Sequence, residues 1–336
     1  MTAPARRLRP NLPPHFYAPN PALVAVWFLY GTASFFGGGY LAHALWLSDG
    51  PPLLIAPAML LLIVIASNGL HLLGWLAHEG IHLSMVRSRH LNLLLGSFVG
   101  SVLMLPAIGL GIAHWPHHRF TNGVADPDTV VQARHQTFWR RFLLARIHAN
   151  RTYLGNALRL MFGRPLPDSY RMPFSHRALA LHAWLGTIFM LGWLLAYGLV
   201  AWYDMSYFLI AILGPFLAMI PITGLRVYIE HAGTLEGEAV DARSYTSPLY
   251  TLLLFGNNYH LEHHLYPKVP GYRLPLLHRM LKAEGFYDRF ADVPIVPGVL
   301  PPLRFTTGRF HYPSFPARHA ESAKLSAHST LDPVQP

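Results

Sequence analysis

PLLIAPAMLLLIVIASNGLHLLGWLAHEGIH, residues 52–82, reads as one helix that is apolar along most of its length and closes on two histidines with an acid between them. No Asp, Glu, Lys or Arg precedes Glu79 in it. From residue 52 to His78 such a helix is roughly 40 Å long at 1.5 Å per residue. That overshoots a hydrocarbon core of about 30 Å, so His78 and His82 are expected just beyond one bilayer face. Three further stretches, 22–47, 178–203 and 206–229, are also long and apolar enough to cross. The four pair into two hairpins through the short connections Ser48-Asp49-Gly50-Pro51 and Tyr203-Asp204-Met205-Ser206.

Composition agrees with this reading. Of 336 residues 52% are apolar and only 12% charged, against a usual charged share of about a quarter. The expected fold is therefore an all-α integral membrane protein. It has four transmembrane helices in two hairpins and a cytosolic helical cap, as one bundle rather than two independent domains. There is no cysteine, which excludes disulfides, thiolate zinc sites, iron–sulfur clusters and a cysteine nucleophile, so any metal must take nitrogen or oxygen ligands. No Lys or Arg occurs between Pro10 and Val86 or between Ala178 and Leu225, so all 26 basic residues fall on one side. The positive-inside rule makes that side, with both termini and the histidines, the cytoplasm. Orientation and attraction to anionic headgroups account for the formal charge of +10 without a nucleic-acid partner.

Residues 1–21, Pro-rich with Arg6, Arg7 and Arg9, read as a cytosolic arm rather than a signal peptide. The membrane domain with its cap is expected over 22–309. Residues 310–336, rich in Pro, Ser, Ala and His, read as a disordered tail whose His311, His319 and His328 are too irregularly spaced for a metal role.

A fifth apolar run, Leu91 to Ala113, is long enough to cross. A crossing there would strand the histidines that follow it on the opposite face, so it is expected to be re-entrant or interfacial, helped by Gly100, Pro106, Gly109 and Gly111. Residues 134–164 place Trp139, Leu143, Ile147, Leu154, Leu158 and Met161 near helical spacing among Arg140, Arg141, Arg146, Arg151 and Arg159. That pattern suits a helix lying on headgroups, or equally a solvated helix on the cap.

Three histidine clusters carry the chemistry: His78-Glu-Gly-Ile-His82, His114-Trp-Pro-His117-His118 and His260-Leu-Glu-His263-His264. Imidazoles three or four apart on a helix share a face and can grip a metal from one side, and eight of them suggest two metals. His231, a single histidine after Glu230, is a candidate ninth ligand. Pro116 lacks an N–H and is expected to restart the helix inside the second box. Lone histidines on apolar faces are usually hydrogen-bonded core residues, the reading applied to His43, His71 and His182.

The first box also fits HExxH, the helix of zinc metalloproteases with glutamate as general base. An intramembrane zinc protease needs only one further ligand, and so leaves at least five boxed histidines without a role. A histidine-lined metal transporter is weakened because transport sites usually lie near the bilayer midplane. Two iron ions on neutral nitrogen ligands can instead reduce dioxygen and remove hydrogen from an unactivated C–H bond, which redox-inert zinc cannot do. Glu79, Glu230, Glu262, Asp126 and Asp128 are candidate acceptors for the distal ring N–H groups.

At these residues the chain resembles the membrane fatty acid desaturase superfamily, with its acyl desaturases, related hydroxylases and carotenoid ketolases, over roughly residues 22–283. The likeness lies in HEGIH, in His114-Trp-Pro-His117-His118-Arg-Phe-Thr121-Asn122, and in Gly256-Asn-Asn-Tyr-His260-Leu-Glu-His263-His264-Leu-Tyr-Pro267. Val269-Pro-Gly-Tyr-Arg-Leu-Pro-Leu-Leu-His278 extends it. Glu79 stands where many desaturases have Asp, which leaves the subfamily and substrate open. The resemblance implies a di-iron centre held by His78, His82, His114, His117, His118, His260, His263 and His264, with His231 as a further ligand. It also implies an oxygen-dependent reaction on a fatty acyl or other lipid-like chain, with desaturation expected and hydroxylation or ketone formation as neighbouring outcomes. The chain has no ferredoxin cysteines, GxGxxG loop or recognisable haem domain. Electrons are therefore expected from an external carrier such as ferredoxin with its reductase, docked on the basic face.

Overall fold

The computed structural model describes residues 9–123, 125–167, 172–290 and 292–308. Arg6, Arg7 and the expected tail 310–336, with His311, His319 and His328, lie outside the described residues.

Mostly α-helical structure is what this composition dictates, because apolar backbone away from water must satisfy its own hydrogen bonds. Helix α1, Pro21–Trp46, starts at an Asn20 cap whose side chain accepts from the Leu23 amide. Helix α2, Pro52–Ile81, packs along it. The early part of α2 leaves Leu53, Leu54, Leu60 and Leu61 exposed, whereas from Ala66 to Ile81 it is almost wholly buried. Four helical stretches are long and apolar enough to cross a membrane: Pro14–Trp46, Pro52–Ile81, His176–Tyr203 and Met205–His231. Their large exposed side chains, among them Leu29, Leu60, Leu191 and Leu195, form the kind of surface that water does not tolerate and lipid does.

The fifth apolar run is broken. Helices α3, Arg89–Val102, and α4, Ala107–Phe120, meet at 114°. At 14 residues each either arm is about 21 Å long, too short to traverse the hydrocarbon alone. The break occurs where Met104 takes a positive φ of 54° and Pro106 precedes the new helix. Helix α3 lies directly on box one, and the contact explains Gly80: a Cβ there would sit 2.7 Å from Gly96 Cα and 2.8 Å from the Asn92 carbonyl oxygen.

Contrary to the sequence expectation, α4 does not restart at Pro116 but runs straight through it. Proline forfeits one amide bond, to the Ile112 carbonyl, but neighbours hold the helix on both sides of the defect. Trp115 Nε1 donates to the Ile81 carbonyl at 2.8 Å, and Thr121 Oγ1 donates to that of His117 at 2.6 Å. The second box is therefore a single helical surface.

The short α5, Pro127–Gln132, is capped by Asp126. Then come α6, Phe138–Arg140, a π-helical turn Arg141–Ala145, and α7, Arg146–Met161. Along this arm Trp139, Leu143, Ile147, Leu154 and Leu158 are exposed. Arg141 is not part of the charged surface expected of it. It is fully buried, donates to the His135 and Thr306 carbonyls at 2.8 Å each and lies 4.2 Å over the Tyr228 ring.

Helix α8, His176–Tyr203, is followed by α9, Met205–Tyr207, whose Asp204 cap accepts from the Tyr207 amide. A π-helical turn, Phe208–Leu213, leads into α10, Gly214–His231. Beyond it lie α11, Pro248–Leu253, α12, His260–Leu265, and α13, Leu274–Ala283. A second apolar core, including Leu72, Trp75, Leu261, Leu265, Leu274 and Leu277, fastens α12 and α13 to α2. Among the described residues the helices are accompanied by a two-stranded parallel ladder, β1 Ser244–Thr246 with β2 Ile295–Pro297. The lone histidines have ordinary partners: His43 meets Ser206, His71 meets Arg226, and His182 meets His90.

Candidate metal centre

All nine histidines singled out in the sequence converge. Helix α2 contributes His78 in its last turn and His82 at its C-cap, α4 contributes His114, His117 and His118, α10 ends on His231, and α12 carries His260, His263 and His264. Spacings of three and four put each box on one helical face, and the packing of these helices turns the faces inward.

They divide into two groups. One ring nitrogen from each of His78, His82, His114, His118 and His263 lies within 4.8 Å of all the others, and His117, His231 and His264 form a second such set. His260 joins the second group, its Nε2 being 3.0 Å from that of His231. Within the first, His114 Nε2 is 2.8 Å from His78 Nε2 and 3.0 Å from His118 Nε2. The groups adjoin, with the His118 and His264 ring centroids 4.3 Å apart. Trp75 stacks on His78 at 4.4 Å, walling off one side.

The donors suit metal ions. His82 Nε2, His264 Nε2 and both nitrogens of His263 are buried without a hydrogen-bond partner among the described residues, an arrangement that is costly unless something else takes the lone pairs. Burial, followed by the neighbouring imidazoles, holds His82, His260, His263 and His264 well below their ordinary pKa. They are therefore neutral near pH 7, the state in which imidazole binds a metal.

The acids are less uniform than the sequence suggested. Asp126 accepts from His117 Nδ1 at 2.9 Å and Asp128 lies 3.4 Å from His114 Nδ1, both on the distal side as expected. Glu79 and Glu262 do not act so. Glu79 accepts from the Ser84 hydroxyl at 2.7 Å and the Gly271 amide at 3.1 Å. Glu262 is engaged by Ser244, Tyr287 and, at 2.6 Å, His278 Nδ1. A boxed acid one residue from a ligand points off the ligand face of its helix, and contacts from distant segments then claim it. Glu230 approaches from the near side, its Oε2 lying 3.8 Å from His260 Nε2.

Asp241, absent from the sequence reading, supplies two contacts. Its carbonyl accepts from His231 Nδ1 at 3.2 Å and its carboxylate lies 3.5 Å from His264 Nδ1, while burial pushes its pKa up to about 7. Asn122 of the quoted second-box motif reaches the same carbonyl at 2.9 Å. Asp241 sits in an irregular loop, so no periodicity marks it.

A cavity of about 100 Å³ opens beside both groups. Apolar side chains including Leu103, Leu105, Leu110 and Met219 line it, together with Tyr153, Arg146 and Arg226.

Comparison with known proteins places this arrangement. The family model for fatty acid desaturase matches residues 50–292. The Homo sapiens sphingolipid delta(4)-desaturase/C4-monooxygenase DES2 is 40% identical over 72 residues, 21% of this chain and 20% of that protein. The Rattus norvegicus sphingolipid delta(4)-desaturase DES1 is 42% identical over 72 residues, with the same shares. The chain thus aligns with a fifth of the length of these curated relatives.

Proposed function

The chain belongs to the fatty acid desaturase family, and from that premise we propose an integral-membrane, oxygen-dependent di-iron oxidoreductase that introduces a double bond into a fatty acyl or other lipid-like chain. The observation that carries the reading is the division of nine histidines, eight buried and His118 half-buried, into adjoining groups of five and four. His78, His82, His114, His118 and His263 would hold one ion, and His117, His231, His260 and His264 the other. Iron bound there would supply the redox chemistry by which dioxygen serves to remove hydrogen from an unactivated C–H bond.

The protein's own residues prepare the site. Asp126 accepts a hydrogen bond from His117 Nδ1, and the Asp241 carbonyl accepts one from His231 Nδ1, which orients both rings and would turn Nε2 toward an ion. Trp75 and the leucines of the cavity give the histidines apolar neighbours. A substrate chain entering this cavity would lay one methylene beside the histidines, while Tyr153, Arg146 and Arg226 would meet a polar group of an amphiphilic substrate. The zinc-protease alternative needs the HEGIH glutamate beside the ion, and the engagement of Glu79 by Ser84 and Gly271 speaks against it.

In the proposed topology the four long helices form two hairpins with the histidine-bearing cap and both termini in the cytoplasm, supported by the one-sided distribution of basic residues. The exposed apolar residues of α6 and α7 would then rest among headgroups. Electrons would come from ferredoxin or a similar carrier. Hydroxylation is the second reading, favoured by the "C4-monooxygenase" in the name of one relative. The test is to purify the protein with its lipids, measure iron and zinc, and weigh oxygen-dependent products. Two irons with a lipid lighter by two hydrogens are expected, a gain of one oxygen identifies hydroxylation, and a single zinc with peptide cleavage refutes the proposal.

A further inference from the structure

One acid stands on the opposite side of its histidine from the rest. Asp126, Asp128 and the Asp241 carboxylate all face Nδ1 atoms, of His117, His114 and His264. Glu230 faces Nε2 of His260, the nitrogen that meets His231 Nε2 at 3.0 Å. One carboxylate oxygen of Glu230 and one nitrogen from each of these two histidines all lie within 4.8 Å of one another.

The carboxylate is held by one oxygen and free at the other. Oε1 lies 3.2 Å from Arg226 Nε and accepts from the Tyr245 hydroxyl at 3.3 Å. Oε2 has no hydrogen-bond partner among the described residues, and its 3.8 Å to His260 Nε2 is too long for such a bond. Two donor atoms each about 2.1 Å from one ion are about 3.0 Å apart at right angles and about 4.2 Å apart when opposed. Both spacings seen here, 3.0 Å and 3.8 Å, fall in that range. Ligating carboxylates are commonly steadied through their second oxygen, which is the part Arg226 and Tyr245 play. The five-histidine group has no acid among its members.

We infer that Glu230 is a direct ligand of the ion held by His117, His231, His260 and His264, so that this subsite offers four nitrogens and one carboxylate oxygen while its neighbour offers five nitrogens. The inference rests on the two-iron reading above. It makes the two ions unequal, one of them carrying a hard anionic ligand beside the half-buried Arg226 guanidinium.

The test uses the full chain, loaded anaerobically with ⁵⁷Fe(II) and freed of excess metal, with iron counted by mass spectrometry and the sites resolved by Mössbauer spectroscopy. The unmodified protein is expected to hold two irons in two distinguishable ferrous sites. Glu230→Gln is expected to retain one, with the surviving signal that of the five-nitrogen site. Because that variant strands Arg226, Glu230→Gln/Arg226→Gln is measured beside it and should also retain one iron, whereas Arg226→Gln alone should retain two. Two irons with an unchanged spectrum in either Glu230 variant would overturn the inference, as would loss of the same iron from Arg226→Gln alone. An unmodified protein that holds no pair of irons would instead overturn the di-iron reading, and the inference with it.

Discussion

Asp126 serves two structures with one carboxylate. It caps α5 by accepting from the Asp128 and Thr129 amides at 3.0 Å and 3.3 Å, and it orients His117. The roles separate on substitution. Asp126→Asn keeps a capping oxygen but loses the charged acceptor, so metal retention should weaken about 10- to 100-fold with helix content intact. Asp126→Ala should in addition lose about 1 kcal/mol of stability. Metal titration and circular dichroism check the pair. At this scale the convergence of the candidate ligands was legible because their spacing repeats a helical face, as in His114, His117 and His118. The partners of Glu79 were not, since Gly271 lies 192 residues away along the chain. Nor was Asp241, set in a loop without a period.

Between α2 and α3 the decisive term is steric. Replacing glycine by alanine within a helix ordinarily gains up to about 1 kcal/mol, but at Gly80 the added methyl meets backbone of α3, which cannot swing aside. Gly80→Ala should therefore cost about 1–3 kcal/mol and displace His78 and His82, lowering both the melting temperature and metal retention. Gly155→Ala on α7, where nothing lies within 4 Å, should be neutral or mildly stabilising. A higher melting temperature for Gly80→Ala than for Gly155→Ala would contradict the packing described. The long helices were readable from hydropathy to within a few residues. The passage of α4 through Pro116 was not, because propensity is local and the contacts that override it, Trp115 with Ile81 among them, join separate helices.

For the molecule as a whole, the histidines come from helices that only tertiary packing brings together, so ions should bind the folded state almost exclusively. Loading should raise the melting temperature in proportion to the logarithm of free metal, by about 2.7 kcal/mol of stability at a hundredfold excess over Kd. Chelation should reverse the effect, with thermal unfolding in matched detergent as the measurement. The proposed orientation can be read against no background, since there are no native cysteines. Gly50→Cys should react with an impermeant maleimide from outside intact cells, and Lys268→Cys only after lysis. The reverse pattern would invert the topology. The absence of Lys and Arg between Pro10 and Val86 and between Ala178 and Leu225 was plain in the sequence, whereas the cavity, with walls from α2, α4, α7 and α10, had no linear trace.

Both groups of histidines draw on α12, the first through His263 and the second through His260 and His264. Neither is complete until residue 264 has left the ribosome and α12 has docked. On the proposed di-iron reading, metallation would follow synthesis and insertion, and a cell starved of iron would accumulate finished apoprotein open to rescue without new translation.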